Sequence, residues 1–379
     1  MTTIYDVAVV GAGPAGRVLA HRALAAGLRV AVVDPAPDRR WSATYGVYTA
    51  DLPDWFDSSV IAASAPSVTV FTPTEQVVPH AYAILDTALF QDALTLDGAD
   101  VFDRYAATLS ARLVTCADGS HVRARYVVDA RGARAADHPA RPRQTAAGSV
   151  THSDDPTMVL MDWRPAHRLP ITGAPASFSY RVALGGGRRL VEETCLVGAP
   201  PIDVDVLAER NRLRTAQPRV DEVVDFPLLA DTRPWARTAN SPLRFGAAGG
   251  LMHPATGYSV GQSVRASDVV VEAILAARDP HEALWSTRAR LAYRLRTLGL
   301  RVLLSLRPDE LVAFFDAFFR TDPILQHRYL CGRDDAVGVL RTMAAVFAQA
   351  PIPLRVRVAA STVCWRPCNT RRLSRRASS

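Results

Sequence analysis

Residues 4–34 read IYDVAVVGAGPAGRVLAHRALAAGLRVAVVD, and this stretch decides the fold. Residues 4–10 are a short apolar run, rich in β-branched side chains and bounded by glycine, as a buried parallel strand requires. Gly11-Ala12-Gly13-Pro14-Ala15-Gly16 follows at once and opens an alanine-rich helical pattern that Gly27 closes. Residues 29–33 form a second apolar strand ending in Asp34. A glycine motif alone is weak evidence. Set between a strand and a helix, with an acid ending the next strand, it marks a dinucleotide-binding βαβ unit. Gly11 permits the tight turn, Gly13 lets the backbone approach a pyrophosphate, and Gly16 lets the helix pack on the strand. Ala15 belongs to the same turn, where free helix N–H groups face phosphate, and Asp34 is placed to accept from the adenosine ribose.

The rest of the chain separates FAD from NAD. Residues 126–130 (YVVDA) repeat the buried-strand pattern, and Arg131-Gly132 turns the chain. Residues 245–259 read FGAAGGLMHPATGYS and precede a helical pattern over about 260–277. This resembles the second flavin motif of the p-hydroxybenzoate-hydroxylase-like FAD fold, in which a PxxG segment lies along the isoalloxazine. The resemblance assigns Gly132, Gly249, Pro254, Gly257 and Tyr258 to cofactor binding beside Gly11, Gly13, Ala15, Gly16 and Asp34. A simple nicotinamide dehydrogenase has no use for so distant a second motif, so FAD is the expected cofactor. Flavin hydroxylases usually open this segment with Gly-Asp; here Phe245 and Gly246 stand there, which argues against a standard monooxygenase.

Composition narrows the classes further. The formal charge of +7 includes five arginines, Arg366, Arg371, Arg372, Arg375 and Arg376, in the last fourteen residues; without them it is 7 − 5 = +2. The body is therefore nearly balanced, nucleic acid is not an expected partner, and 364–379 reads as a disordered basic tail. No lysine occurs anywhere, which excludes Schiff-base and pyridoxal-phosphate chemistry and a Walker phosphate loop. The five cysteines form neither a disulfide framework nor a zinc ligand set, so no metal is expected. The chain opens directly on a strand, without a signal-peptide pattern, and holds no apolar run of roughly 18 residues. The expected location is cytoplasmic, peripheral to the inner membrane face.

Several stretches, in order along the chain, resemble the lycopene cyclases: VVDPAPDRRW (32–41), YGVY (45–48), VVDARG (127–132), MDW (161–163), VEETCLV (191–197), GGLMHPATGYSV (249–260), FFDAFF (314–319) and HRYL (327–330). The resemblance implies cyclisation of the linear ψ end groups of lycopene to β-ionone rings, with reduced FAD as a non-redox cofactor and NAD(P)H as the source of its electrons. Such a reaction starts by protonating an alkene. That needs a strong acid kept dry, and a carboxyl in an apolar pocket stays protonated near neutral pH. Residues 188–197 (RRLVEETCLV) read as a strand, so Glu192 and Glu193 point to opposite faces and only one can meet substrate. The family alignment puts the acid at Glu192, with Glu193 as the fallback. Tyr45, Tyr48 and Trp163 are candidates for cation–π stabilisation, and His253 for ordering the flavin loop or relaying protons. Asp316 is expected to pair with an arginine or face solvent.

The expected architecture is α/β: a discontinuous Rossmann-like FAD domain (1–150 and 235–277), a sheet domain covering substrate (151–234) and a helical region (278–363). Because the implied substrate is a bilayer hydrocarbon, LGLRVLLSL (298–306) and VGVLRTMAAV (337–346) are candidate membrane-facing helix faces. Two other readings suit the fold: a redox flavoenzyme such as a polyprenyl reductase or hydroxylase, and a non-catalytic flavin- or carotenoid-binding protein.

Overall fold

The computed structural model describes residues 3–133, 140–165, 176–229, 231 and 233–363. The Arg-rich segment 364–379 lies outside the described residues. Among those described, the strands form three sheets.

The first sheet grows from the motif. Ile4–Val10 pairs in parallel with Val30–Asp34 on one side and His121–Asp129 on the other, and Asp100–Asp103 extends the parallel set beyond Val30–Asp34. Leu113–Cys116 and Ala106–Leu109 continue it antiparallel, and Leu243–Arg244 pairs with the end of His121–Asp129. The apolar runs are fully buried, with Val7, Val9, Val32 and Val128 at 0–1% exposure. They read as unbroken hydrophobic stretches because helix covers one face and other strands the second. The helix Pro14–Ala25 packs against Val260–Leu275, the helix that follows the second motif.

The second sheet runs Glu222–Pro227, Arg143–His152, Arg188–Gly198, Phe178–Gly185, Val159–Asp162, Val68–Phe71 and Glu75–Val78. It draws on 68–78 and 143–152 as well as on 159–227, so the segment 1–150 contributes strands to both large sheets. A small third sheet joins Tyr45–Tyr48, Tyr82–Leu85 and Ile61–Ala65. Helices Thr287–Ser305, Pro308–Phe319, Pro323–Cys331, Ala336–Gln349 and Ile352–Val363 follow in sequence. One core cluster ties the first sheet to these helices through Phe245, Trp285, Leu300 and Phe315; a second packs Val68, Met158 and Leu190 against Phe318, Leu330 and Val346. The two candidate membrane segments part ways here. Leu300, Val302 and Leu303 are buried core, whereas Val337, Leu340 and Phe347 are 41–58% exposed.

Two glycines are required by close approach. A Cβ at Gly16 would lie 1.9 Å from the Gly11 carbonyl oxygen, and one at Gly11, which also has φ +103°, would lie 2.7 Å from the Ala130 oxygen. Gly16→Val should therefore destabilise the fold by at least about 3 kcal/mol, the upper range for overpacking, because backbone and not a flexible side chain must move. A lowered urea midpoint checks this.

Candidate functional site

A cleft of about 760 Å³ opens at the carboxyl ends of the parallel strands, where ligands of open α/β sheets bind. Gly11, Gly13, Ala15, Asp34 and Gly132 all line it. Gly16 does not; its place is the helix–strand contact. A Cβ on Gly13 would meet nothing within 4 Å, so that backbone faces open space. Asp34 is held at the strand end by the N–H groups of Ala12 and Ala36, each 2.8 Å from a carboxylate oxygen. Gly13 and Ser259, the N-caps of Pro14–Ala25 and Val260–Leu275, make no side-chain capping bond, and both line the cleft. Two uncapped helix N-termini on one cleft are a seat for a dianionic pyrophosphate and an electron-rich ring edge. Gly246, with φ +66°, lets the second motif approach: its Cβ would lie 2.7 Å from that of Ala15.

A second cavity of about 450 Å³ shares Tyr45, Ser259 and Val260 with this cleft. Its walls come from the covering sheet and from Thr256, Gly257 and Tyr258. Gly257 has φ +78°, and a Cβ there would meet Gln144 Oε1 at 2.5 Å. Gln144 Oε1 and Thr256 Oγ1 are buried without a hydrogen-bond partner among the described residues. Orphaned polar atoms beside a cleft are the expected mark of a polar ligand, and the groups present suit an isoalloxazine. Pro254 and Gly249 stand back from both cavities: Pro254 belongs to a separate small hollow, and Gly249 makes a turn against Arg244.

The alternation of Arg188–Gly198 separates the two glutamates as strand geometry demands. Leu190, Glu192, Thr194 and Leu196 face the second cavity. Glu193 points the other way, 1% exposed, and pairs with Arg214 at 2.9 Å while accepting from Ser177 at 2.5 Å. Glu192, 7% exposed, has no such cation among the described residues; it accepts from the Thr194 hydroxyl at 2.5 Å. Burial, reinforced by the charges of Glu222 and Glu193 and opposed by the Thr194 bond, pushes its carboxyl up from an ordinary 4.5 to about 7.

Glu222 is the residue that sequence reading missed. Thr44 holds it, with N–H to Oε1 at 2.8 Å and hydroxyl to Oε2 at 2.6 Å, and it lines the same cavity. Its strand, EVVDFP, shows no polar–apolar alternation that would mark an inward-facing acid, so nothing local marked it. Gly148 lies directly between Glu192 and Glu222 in the sheet and brings no side chain to that row.

A third, narrow apolar cavity of about 90 Å³ shares Leu160, Met161, Thr256 and Tyr258 with the second and continues between the C-terminal helices. Phe314, Phe318, Phe319 and Met343 line it, and the partly exposed Phe347 brings it to the surface. Tyr48 lines this channel within a cluster of Tyr82 and Tyr258, Tyr45 lines the cleft, and Trp163 packs in the core on Phe178 and Phe315. His253 is buried, its Nδ1 accepting from Ala255 N–H and its Nε2 donating to the Tyr329 carbonyl, both at 3.2 Å. Burial and the nearby Arg296 charge hold its pKa well below the usual histidine range, so it is a neutral ring that orders the loop. Asp316 pairs with Arg320 and accepts from Thr72 and Gln76, away from the cavities. Asp51, His327 and Cys331 bring three possible metal-ligand atoms within 4.8 Å. Asp51 pairs with Arg265 at 3.1 Å and bonds the Cys331 thiol, while His327 Nε2 is buried without a hydrogen-bond partner among the described residues.

This architecture is the Rossmann-like FAD-binding fold with a covering sheet and C-terminal helices. Among solved structures it is similar to a geranylgeranyl bacteriochlorophyll reductase-like protein from Thermoplasma acidophilum (TM-score 0.60, 17% identity, covering 94% of this chain and 100% of that one). It is also similar to a probable FAD-dependent monooxygenase from Pseudomonas aeruginosa (TM-score 0.52, 16% identity, covering 89% of this chain and 100% of that one). Within that fold the family is settled by sequence: residues 6–355 match the lycopene cyclase protein profile, and the chain belongs to that family. An uncharacterized carotenoid cyclase from Deinococcus radiodurans is 33% identical over 97% of this chain and 96% of its own length. The lycopene beta cyclase of Synechococcus elongatus is 28% identical over 93% and 95%.

The placement of the two glutamates has opposite consequences for stability. Above pH 7 both folded and unfolded Glu192 are ionised, and only the folded one lacks water; the interval from 4.5 to about 7 corresponds to about 3 kcal/mol of folding free energy lost there. Below pH 4.5 both are neutral and the loss vanishes. Glu192→Gln should thus raise the melting temperature at pH 8 and change it little at pH 4. Arg214→Ala, which strands a buried carboxylate, should cost about 3–5 kcal/mol at pH 8. Calorimetry of both variants at the two pH values tests the pair.

Proposed function

We propose that this protein cyclises the linear ψ end groups of lycopene to β-ionone rings, giving γ- or β-carotene, without net redox change. The observation that carries this reading is Glu192: a buried carboxyl with no cation beside it, protonated up to about pH 7, facing a cavity that leads into an apolar channel. A hydroxylase has no need of a neutral buried acid beside a hydrocarbon channel; an enzyme that protonates an alkene does. Family membership and the similarity to named cyclases point to the same chemistry.

In this reading Gly11, Gly13, Ala15 and Gly132 hold the dinucleotide, Asp34 accepts from its ribose, and the loop from Thr256 to Ser259 lies along the ring. FAD in its reduced form, with NAD(P)H as electron source, would supply a fixed negative charge that stabilises a cation in a low-dielectric site. Glu192 donates a proton to the terminal alkene, and the internal double bond closes on the resulting tertiary cation. Tyr45 and Tyr48 line the cavities and present ring faces, each worth roughly 0.5–2 kcal/mol to a nearby cation. Leu160, Phe314 and Phe318 exclude water, which keeps Glu192 neutral and the cation from being quenched.

Substrate delivery is read from the C-terminal helices. No helix among the described residues is long and apolar enough to cross a membrane. Val337, Leu340, Phe347, Ile352 and Val356 are nevertheless exposed around the channel end, with Arg341 and Arg355 nearby. Such a surface suits peripheral docking on an anionic leaflet, at the cytoplasmic face of the inner membrane.

The deciding experiment incubates purified protein with lycopene in liposomes, FAD and excess dithionite without oxygen. Cyclic carotene is expected only when flavin is reduced, and Glu192→Gln should lose it while retaining bound flavin. NAD(P)H consumption in proportion to product would instead indicate a redox flavoenzyme, and unchanged lycopene beside bound, reduced flavin would overturn the reading. Because the acid form of Glu192 is the active one, the rate should fall about tenfold per pH unit well above pH 7. Cosedimentation should be stronger with phosphatidylglycerol than with phosphatidylcholine liposomes and should weaken in Leu340→Ser/Phe347→Ser.

A further inference from the structure

Cyclisation needs two proton transfers, and Glu192 accounts for one. The second removes a proton from the ring cation, and the site of removal decides the product. Loss from the ring carbon bearing the polyene gives the β ring, loss from the ring methylene the ε ring, and loss from the methyl group the γ ring. We propose that the Glu222 carboxylate is the catalytic base that takes this proton and thereby selects the ring isomer. This inference rests on the cyclase reading above.

The geometry begins with strand register. Tyr180, Glu192, Gly148 and Glu222 stand directly opposite one another across four adjacent strands, in that order. Residues directly paired in an antiparallel sheet project to the same face, so both carboxyls rise from one row into one cavity. Adjacent strands lie about 4.8 Å apart, which puts the two glutamate backbones about 10 Å apart, enough to seat a six-membered ring between their side chains. Gly148 keeps that gap open. A Cβ there would lie 2.8 Å from Leu190 Cδ1 and 3.3 Å from Glu192 Cβ.

The two carboxyls are held in opposite protonation roles. Glu192 is 7% exposed and accepts from the Thr194 hydroxyl. Glu222 is half-buried at the sheet edge, and both of its oxygens accept from Thr44, the bonding pattern of an ionised carboxylate. Two carboxyls in one site with environments that differ this way are an acid and a base.

The step balances. The Glu192 O–H bond breaks and a C–H bond forms at the less substituted carbon of the terminal alkene, leaving a tertiary cation; the internal double bond then supplies its electron pair for the new ring C–C bond, which moves the positive charge onto a ring carbon. The adjacent C–H bond then breaks, its electron pair becomes the ring double bond, and its proton goes to a Glu222 oxygen. The product is an isomer of the substrate. Glu192 is left ionised and Glu222 protonated, and return of one proton from Glu222 to Glu192 across the cavity they share resets the site.

The test uses flavin-loaded full-length protein with lycopene liposomes and anaerobic dithionite, and separates ring isomers by chromatography. Wild type is expected to give one isomer. Glu222→Gln should slow turnover at least about a hundredfold, the usual weight of a general base, and should spread the residual product over β, ε and γ rings; Glu222→Asp should keep a single isomer at reduced rate. A purely structural role would not scatter the isomers. Full rate and an unchanged isomer in Glu222→Gln would overturn the proposal. Should that variant fail to hold flavin, Thr44→Val decides, since it removes the hydroxyl that aims Glu222: mixed rings uphold the base, and wild-type rate and isomer overturn it. No cyclic product from wild type sinks the cyclase reading itself, whereas equal cyclisation by wild type and Glu222→Gln sinks only this inference.

Discussion

A carboxyl removed from water without a cation beside it remains in a folded protein only if it keeps its proton. Glu192 is in that position, and the surrounding structure serves to keep it there. The covering sheet buries its backbone between two partner strands, Leu190 and Thr194 flank it on the same face with Leu196 beyond, and the C-terminal helices close the apolar channel. The neighbouring Glu193 shows the alternative outcome. One residue along, it meets Arg214 and Ser177 and behaves as a structural ion pair. The period of two along a strand is thus enough to give two identical neighbouring residues opposite surroundings, one facing a cavity and one in an ion pair.

The FAD-type fold and the acid depend on each other through the loop 253–259. His253 is a neutral ring whose two nitrogens are spent on Ala255 and Tyr329, and its backbone exchanges bonds with Gly257 and Tyr258. That loop therefore links helix Pro323–Cys331 to the start of Val260–Leu275, and Tyr258 stands at the junction of the second cavity and the channel. Polar and apolar parts of the site share a wall only one loop thick. Under the proposed function this arrangement lets a hydrocarbon end group meet the cofactor edge while most of its length stays in apolar surroundings.

The exposed apolar residues of the last two helices make sense on the same grounds. Ala336–Gln349 is hydrophobic on both faces: Val339 and Val346 pack inward, while Val337, Leu340 and Phe347 face out. Val337, Leu340 and Phe347 form an exposed apolar strip with Arg341 among them, and Phe347 also lines the channel; under the proposed function a lipid leaflet covers this strip. The 298–306 segment has a similar composition yet is buried core, because Thr287–Ser305 lies beneath the helices that follow it. Composition could not tell these two apart; only their place in the stack of helices does.

What the sequence by itself determined was everything carried by local geometry. The strand–glycine turn–helix unit at 4–34, the second motif at 245–260 and the opposed faces of Glu192 and Glu193 follow from steric rules that act over a few residues, and these features appear where the chain order puts them. The tertiary structure decided what depends on residues far apart meeting. Strands 68–78 join the second sheet, Arg214 neutralises Glu193, and Glu222 comes level with Glu192 across Gly148, separated from it by 30 residues of chain but by a single strand in space. Sheet register is a long-range property, fixed by cross-strand pairing and burial together, and no local pattern in EVVDFP announced that its first glutamate would face a cavity.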